Sequence, residues 1–235
     1  MKRFFLLAAV LLLVSTTCAF GSFFDNFDSY TNGQVLDGTL DDGGWKGWDN
    51  TPAAGGTVTN AQSLSPENSV SVSGASDLVH EFSETGSFTF SAWQYIPTGA
   101  TGTTYFILLN TYTDGGPYKW STQLSFNLGT GLLNDDQVAG DENMAIIKDQ
   151  WTEILVDVDL VADTQNIYYG GNLLSTNSWT QGDPNGQLAL QAVDLYAGSG
   201  ADAVYYDDVS VVPEPSSLFA LAGFLPALAL LRRRR

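Results

Sequence analysis

Cysteine occurs once in this chain, at Cys18, and histidine once, at His80. With Cys18 inside the N-terminal apolar segment, the rest of the chain has no thiol, which excludes both a disulfide framework and a thiolate nucleophile. A serine relay would have to recruit His80. No Gly-x-Ser-x-Gly elbow accompanies it, and Leu78, Val79 and Phe82 around it read as a strand, so a structural or surface histidine is expected. Basic residues are equally scarce. Of 9 lysines and arginines, Lys2, Arg3 and Arg232 to Arg235 sit at the ends. That leaves Lys46, Lys119 and Lys148 against all but one of 26 carboxylates. Such a body cannot neutralise phosphates, and nucleic acid is excluded as a partner.

Long helical periodicity is missing too. Short alternating runs separated by turn residues fill the body, the mark of an all-β domain. In WTEILVDVDL, residues 151–160, Ile154, Val156, Val158 and Leu160 share one face, with Glu153, Asp157 and Asp159 on the other. Further strands are expected at 88–96, 103–112, 120–128, 165–170, 186–198 and 203–212. Their separators include Pro97-Thr98-Gly99, Asp114-Gly115-Gly116-Pro117, Gly170-Gly171-Asn172 and Gly182-Asp183-Pro184-Asn185-Gly186. With roughly 190 residues between the apolar ends, the pattern favours one domain of two packed antiparallel sheets, most economically a jelly roll.

FDNFDSY near the start, Gly44-Trp45, SVSVSG, FTFSAWQYIP, DQWTEILVDVDL and the late YYDDVSVV together resemble the concanavalin A-like, laminin-G-like jelly roll of secreted bacterial proteins. The resemblance implies the fold and carries no fixed catalytic signature.

The two ends read as addresses. Residues 1–21 have a basic start, the apolar run FFLLAAVLLLV and small residues before Ala19 and Gly21, the layout of a secretory signal peptide. A lipid anchor at Cys18 is disfavoured, since Ser15-Thr16-Thr17 lacks the usual preceding pattern. Residues 212–235 run Val-Pro-Glu-Pro, an uncharged apolar segment at 216–231, then four arginines. As a helix that segment would span about 24 Å at ~1.5 Å per residue, a little short of a ~30 Å hydrocarbon core. The arginines would snorkel and hold this end in the cytoplasm, with the acidic body outside. Pro213, Glu214, Pro215 and Arg232, Arg233, Arg234 and Arg235 in this order resemble the PEP-CTERM sorting signal. That resemblance implies processing by a membrane-embedded exosortase and delivery of the body, residues 22–211, to the cell surface or matrix. A plain membrane anchor is the alternative.

Candidate chemistry in the body is sparse. Glycosidases need two facing carboxylates. The nearest set, Glu153 with Asp157 or Asp159, departs from the Glu-x-Asp-x-x-Glu pattern of laminarinase-like members of this superfamily, because Leu155 stands where an acid is needed. A charged strand edge explains it as well, so no catalytic residue is assigned. Sugar binding asks less: rings to stack on pyranose faces and short polar groups to reach hydroxyls. Trp93 and Tyr95 point the same way from one strand, with Phe90 and Ala92 toward the core. Tyr112, Tyr118 and Trp120 flank the Asp114-Gly115-Gly116-Pro117 loop, followed by the polar face Gln123, Ser125 and Asn127. Together they are expected to line a glycan-binding surface, with extracellular polysaccharide as the partner. A structural Ca2+ is expected where Asp25 and Asp28 near the start meet Asp207 and Asp208 near the end, since the last strand changes phase there and a bulge would join both termini. Asn134, Asp135, Asp136, Asp141 and Glu142 read as a loop lacking EF-hand spacing. The function expected is thus a non-catalytic, exported glycan-binding protein, against a glycoside hydrolase or lyase of the same fold, or a purely structural matrix protein.

Overall fold

Alternation of apolar and polar residues builds two antiparallel sheets in the computed structural model, which describes residues 22–138 and 143–214. In chain order the strands are β1 (Phe23–Asp25), β2 (Val35–Leu36), β3 (Trp45–Gly47), β4 (Gly56–Thr59), β5 (Ser69–Val72), β6 (Asp77–Glu84), β7 (Ser87–Tyr95) and β8 (Thr103–Thr111). There follow β9 (Lys119–Asn127), β10 (Leu132–Asp135), β11 (Asn143–Ala145), β12 (Trp151–Asp159), β13 (Thr164–Tyr169), β14 (Asn172–Asn177), β15 (Leu190–Ala197) and β16 (Val204–Pro213). Two single-turn 3-10 segments, Trp48–Asn50 and Pro52–Ala54, are the only helical elements among the described residues, and none there is long and apolar enough to cross a membrane.

One sheet has the order β14-β13-β12-β7-β16-β5-β4-β2, with β1 also paired to β16; the other runs β11-β10-β9-β8-β15-β6-β3. All pairings are antiparallel, and the sheets stack as a sandwich around one core. From the first sheet Phe88, Phe90, Ile154, Val156, Val209 and Val211 point inward; from the second, Phe106, Leu108, Leu124, Phe126, Val193 and Leu195 meet them. Each such side chain contributes about 1.5–3 kcal/mol by leaving water. Phe90 and Phe106 touch edge to face across the layers, centroids 5.7 Å apart. Polar bridges also cross between them. The Gln165 amide receives the Thr122 hydroxyl at 2.6 Å and donates to the Ser121 carbonyl at 2.8 Å, while Asp135 accepts from Ser175 and Asn177.

The period-2 reading of residues 151–160 holds, since Ile154, Val156, Val158 and Leu160 are all buried. The phase change in the last strand is a bulge. Pairing of β16 with β7 slips between Asp207 and Ser210, and Asp208 takes a left-handed φ of 46°. β16 continues through Pro213, and Glu214 N–H donates to the Ser87 carbonyl at 2.9 Å, so the first two residues of the Pro-Glu-Pro motif border the sandwich. Pro215, the apolar segment, the four arginines, the signal segment, Asp141 and Glu142 lie outside the described residues.

Candidate functional site

The outer face of the seven-stranded sheet carries a second apolar cluster, separate from the core: Val79, Ile107, Leu109, Tyr112 and Ala192, with Trp48, Tyr105, Tyr118 and Trp120 packed on it. Period-2 alternation dictates this. On β15 the odd positions Val193, Leu195 and Ala197 enter the core, so Ala192, Asp194 and Tyr196 face outward. Strand register places Ile107 beside Asp194 and Gln123 beside Ile107, forming one continuous row across β15, β8 and β9.

A cavity of about 290 Å³ opens over that row, lined by Trp48, Asp77, Tyr105, Ile107, Trp120, Gln123, Asp194 and Tyr196. Tyr105 and Tyr196, paired across β8 and β15, stack at one end. Trp48 overhangs the face from the turn after β3, propped by Tyr112 at 5.0 Å and Tyr118 at 4.6 Å between ring centroids. The turn is anchored through Asp49, which has a φ of 54°. Its carboxylate accepts from the Tyr118 hydroxyl at 2.6 Å and from Gly115 N–H, and its own N–H donates to the Tyr112 hydroxyl at 3.1 Å. Gly47 permits the close approach this requires, since a Cβ there would fall 2.0 Å from the Thr51 carbonyl oxygen.

Two carboxyl groups form the floor. Asp194 is 3 % exposed, and Asp77 lies one diagonal step away on β6, because Tyr196 is opposite Asp77 and Asp194 opposite Val79. The Oδ1 atoms of both are buried without a hydrogen-bond partner. Burial, then the neighbouring Asp77 carboxylate, pushes Asp194 well above the ordinary carboxylate range, and burial also raises Asp77. Burial thus disposes the pair toward retaining a proton. Among the described residues no cation lines the cavity. Lys46, at its margin, is committed to Glu81 and Asp114.

The seven residues expected to form a single sugar surface are distributed over the molecule. Trp120 and Gln123 line the cavity. Tyr112, only 4 % exposed, and the partly buried Tyr118 pack against Trp48 as its support. Asn127 sits at the far end of β9, where its side chain accepts from Thr130 N–H and closes a turn. Trp93 and Tyr95 are on the outer face of the other sheet, so they cannot share a ligand site with Trp120. There they neighbour Trp151 and Tyr205. Trp93 borders a second cavity, of about 310 Å³, with Trp151 and Glu153.

Glu153 and Asp157 accept hydrogen bonds from the cross-strand Ser91 and Thr89 hydroxyls, and Asp159 accepts from Val161 and Ala162 N–H groups. They act as strand-edge acceptors. At the termini, the bulge does bring Asp207 and Asp208 toward the start of the chain, but through an intervening loop. Asp207 accepts from Leu64 and Ser65 N–H, Asp208 from the Ser65 hydroxyl, and Asp28 from Glu67 and Asn68 N–H. Asp25 is taken by the Tyr30 hydroxyl at 2.6 Å and the Trp45 indole at 2.9 Å. Each acid thus serves its own donors, and no group of three or more His, Cys, Asp or Glu among the described residues is arranged to hold a metal ion. The four acids do not fit a shared Ca2+ centre. His80 packs among Phe23, Trp45 and Phe82 with Nε2 3.2 Å from the Gly43 carbonyl, and burial lowers its pKa.

Sequence reasoning missed Trp48, Asp77, Tyr105, Ile107, Asp194 and Tyr196. The one signal for Asp194 was its place as the sole acid inside the apolar run LALQAVDLYA.

The fold and groove define an all-β sandwich with an aromatic-walled acidic cleft on one sheet. No protein-family model matches the chain, and no curated protein sequence does. Among solved structures it is similar to a cellulose-induced protein, Cip1, at 12% identity, covering 81% of this chain and 96% of that one, TM-score 0.52. It also resembles a sialidase (8% identity, 78% of this chain and 18% of that one, TM-score 0.52) and a Trypanosoma rangeli sialidase (14%, 83% and 31%, TM-score 0.51). The chain spans less than a third of either sialidase. At these identities the likeness is one of fold.

Proposed function

We propose that this protein binds glycans without cleaving them, in the groove on the outer face of the seven-stranded sheet. The observation that carries the reading is the combination at one place of ring faces from Trp48, Trp120, Tyr105 and Tyr196 with polar groups of Gln123, Asp77 and Asp194 that have hydrogen-bonding capacity to spare. Pyranose rings present apolar faces and hydroxyl edges, and a cleft of this make-up matches both. The fold shared with the cellulose-induced protein and with parts of sialidases is compatible with such a ligand. Asp77 and Asp194 are diagonal neighbours on adjacent strands and sit side by side on the floor of the groove rather than on opposite sides of a bound ring, which favours binding over hydrolysis.

The strand arrangement belongs in this reading to a concanavalin A-like jelly roll. The N-terminal segment directs export and the Pro-Glu-Pro tail directs exosortase processing, after transient anchoring with the C-terminus in the cytoplasm. Extracellular polysaccharide is the natural ligand pool at that location.

A glycan array probed with the purified body, with and without EDTA, tests the function: binding to a defined set of oligosaccharides that Trp120→Ala weakens supports it, and a blank array refutes it. Tags at both ends test the route, since an exported mature form still carrying the C-terminal tag would be incompatible with processing.

A further inference from the structure

The floor of the groove poses an electrostatic problem that a neutral sugar does not solve. Two carboxyls with unpartnered Oδ1 atoms lie side by side, Asp194 almost completely out of water, and among the described residues no lysine or arginine lines the cavity. Buried like charges this close need a positive counterpart: a proton, or a cation brought by the ligand. The walls say which cation. Hard metal ions demand several oxygen ligands, whereas the lining beyond the two acids is mostly aromatic, Trp48 and Trp120, Tyr105 and Tyr196, with Ile107 and the single amide of Gln123. Ring faces attract an organic ammonium, most strongly when it is desolvated.

We infer that the groove is built for glycans containing amino sugars, with the protonated amine of a de-N-acetylated hexosamine residue held between Asp77 and Asp194 and the sugar ring lying against the flanking aromatics. This rests on the glycan-binding reading above and names its ligand class. Acidic polysaccharides are disfavoured at the same place, since a uronate or sulfate would face carboxyls with no compensating cation.

Seating the ammonium displaces the shared proton, so the exchange is one cation for another. The titratable groups around the pair are Asp77 on β6, Asp194 and Tyr196 on β15, Tyr105 on β8 and Asp49 on the Trp48 turn; β9 contributes only Trp120 and Gln123. Burial raises the Tyr105 phenol further above its ordinary range. Asp49 is held low by the Tyr118 hydroxyl and Gly115 N–H, so the proton released comes from the pair.

The test is titration calorimetry on the purified body with a glucosamine hexamer, its fully N-acetylated counterpart and cellohexaose, each in two buffers of different ionisation enthalpy and with EDTA or Ca2+. The glucosamine hexamer should bind at least about tenfold more tightly than the other two, release protons at neutral pH, and lose that advantage in Asp194→Asn, a near-isosteric change. EDTA and Ca2+ should leave this unchanged. Equal affinity for all three oligomers, an Asp194→Asn variant that keeps the preference, or a requirement for Ca2+ would each overturn the amine assignment while leaving the glycan reading intact. Absence of binding by any oligomer would instead remove the glycan reading, and the amine assignment with it.

Discussion

Tyr105 and Tyr196 stack across neighbouring strands, ring centroids 5.4 Å apart and planes inclined by 23°, at the end of the groove where Asp77 and Asp194 begin. Residues directly opposite in an antiparallel pair are held at this spacing by the backbone, so the platform is formed before any ligand arrives.

The two tryptophan populations should behave differently. Trp120→Ala is expected to weaken oligosaccharide binding about five- to tenfold, roughly 1–1.4 kcal/mol for a stacking ring, and Trp93→Ala on the opposite sheet to leave the groove unaffected. Calorimetric titration of both variants against one array-positive oligosaccharide checks this; equal losses would place the ligand elsewhere.

Gly47→Ala should disturb the site from behind. A Cβ 2.0 Å from the Thr51 oxygen forces the Trp48 turn to move. The expected cost is about 1–3 kcal/mol of stability, with reduced binding in the folded fraction, readable by urea denaturation and titration of the same sample.

Asp77 and Asp194 make stability depend on pH with a definite sign. Both folded values lie above the unfolded one of about 3.9. The pair's contribution is therefore full below that value and is lost as pH rises through the folded values. Asp207, raised to about 7 by burial, adds a similar slope in wild type and variants alike. Urea denaturation from pH 4 to 9 should give a shallower decline for Asp194→Asn than for wild type; parallel curves would show that the pair carries no shared proton.

His80 acts in the opposite sense. Burial lowers its folded value below the unfolded one of about 6.5, so its contribution is present above that pH and lost as pH falls through the folded value. The stability of His80→Gln relative to wild type should then improve between pH 7.5 and 5. A constant difference would mean that the imidazole titrates as in water.

Much of the fold is legible in local alternation. Phe88, Phe90 and Ala92 enter the core as their spacing demands, Gly170-Gly171 turns a hairpin with both residues at positive φ, and the parity change at Asp207-Asp208 marks the bulge. The first third of the chain was less readable because β1 to β4 are only two to four residues long, too short for a period to declare itself.

The site was harder for a different reason. Alternation assigns a side chain to one of two faces of its own strand and says nothing about which sheet that strand joins. Trp93 and Trp120 both face outward, yet β7 and β9 belong to different layers. Outward also does not mean open. Tyr112 is covered because the turn after β3 folds Trp48 over it, a contact between residues far apart in the chain. Asp194 escaped notice because an acid on an outward position reads as solvated, whereas the overhanging aromatics dry it.

The position of β16 has a consequence for the order in which the molecule can be made. Among the described residues this last strand lies between β7 and β5, also carries β1, and is the only piece joining the wing β5-β4-β2 to the rest of its sheet. A chain threaded through a membrane from its N-terminus cannot finish that sheet until residues 204–213 have emerged. Closure of that sheet is thereby deferred until its last described strand is available.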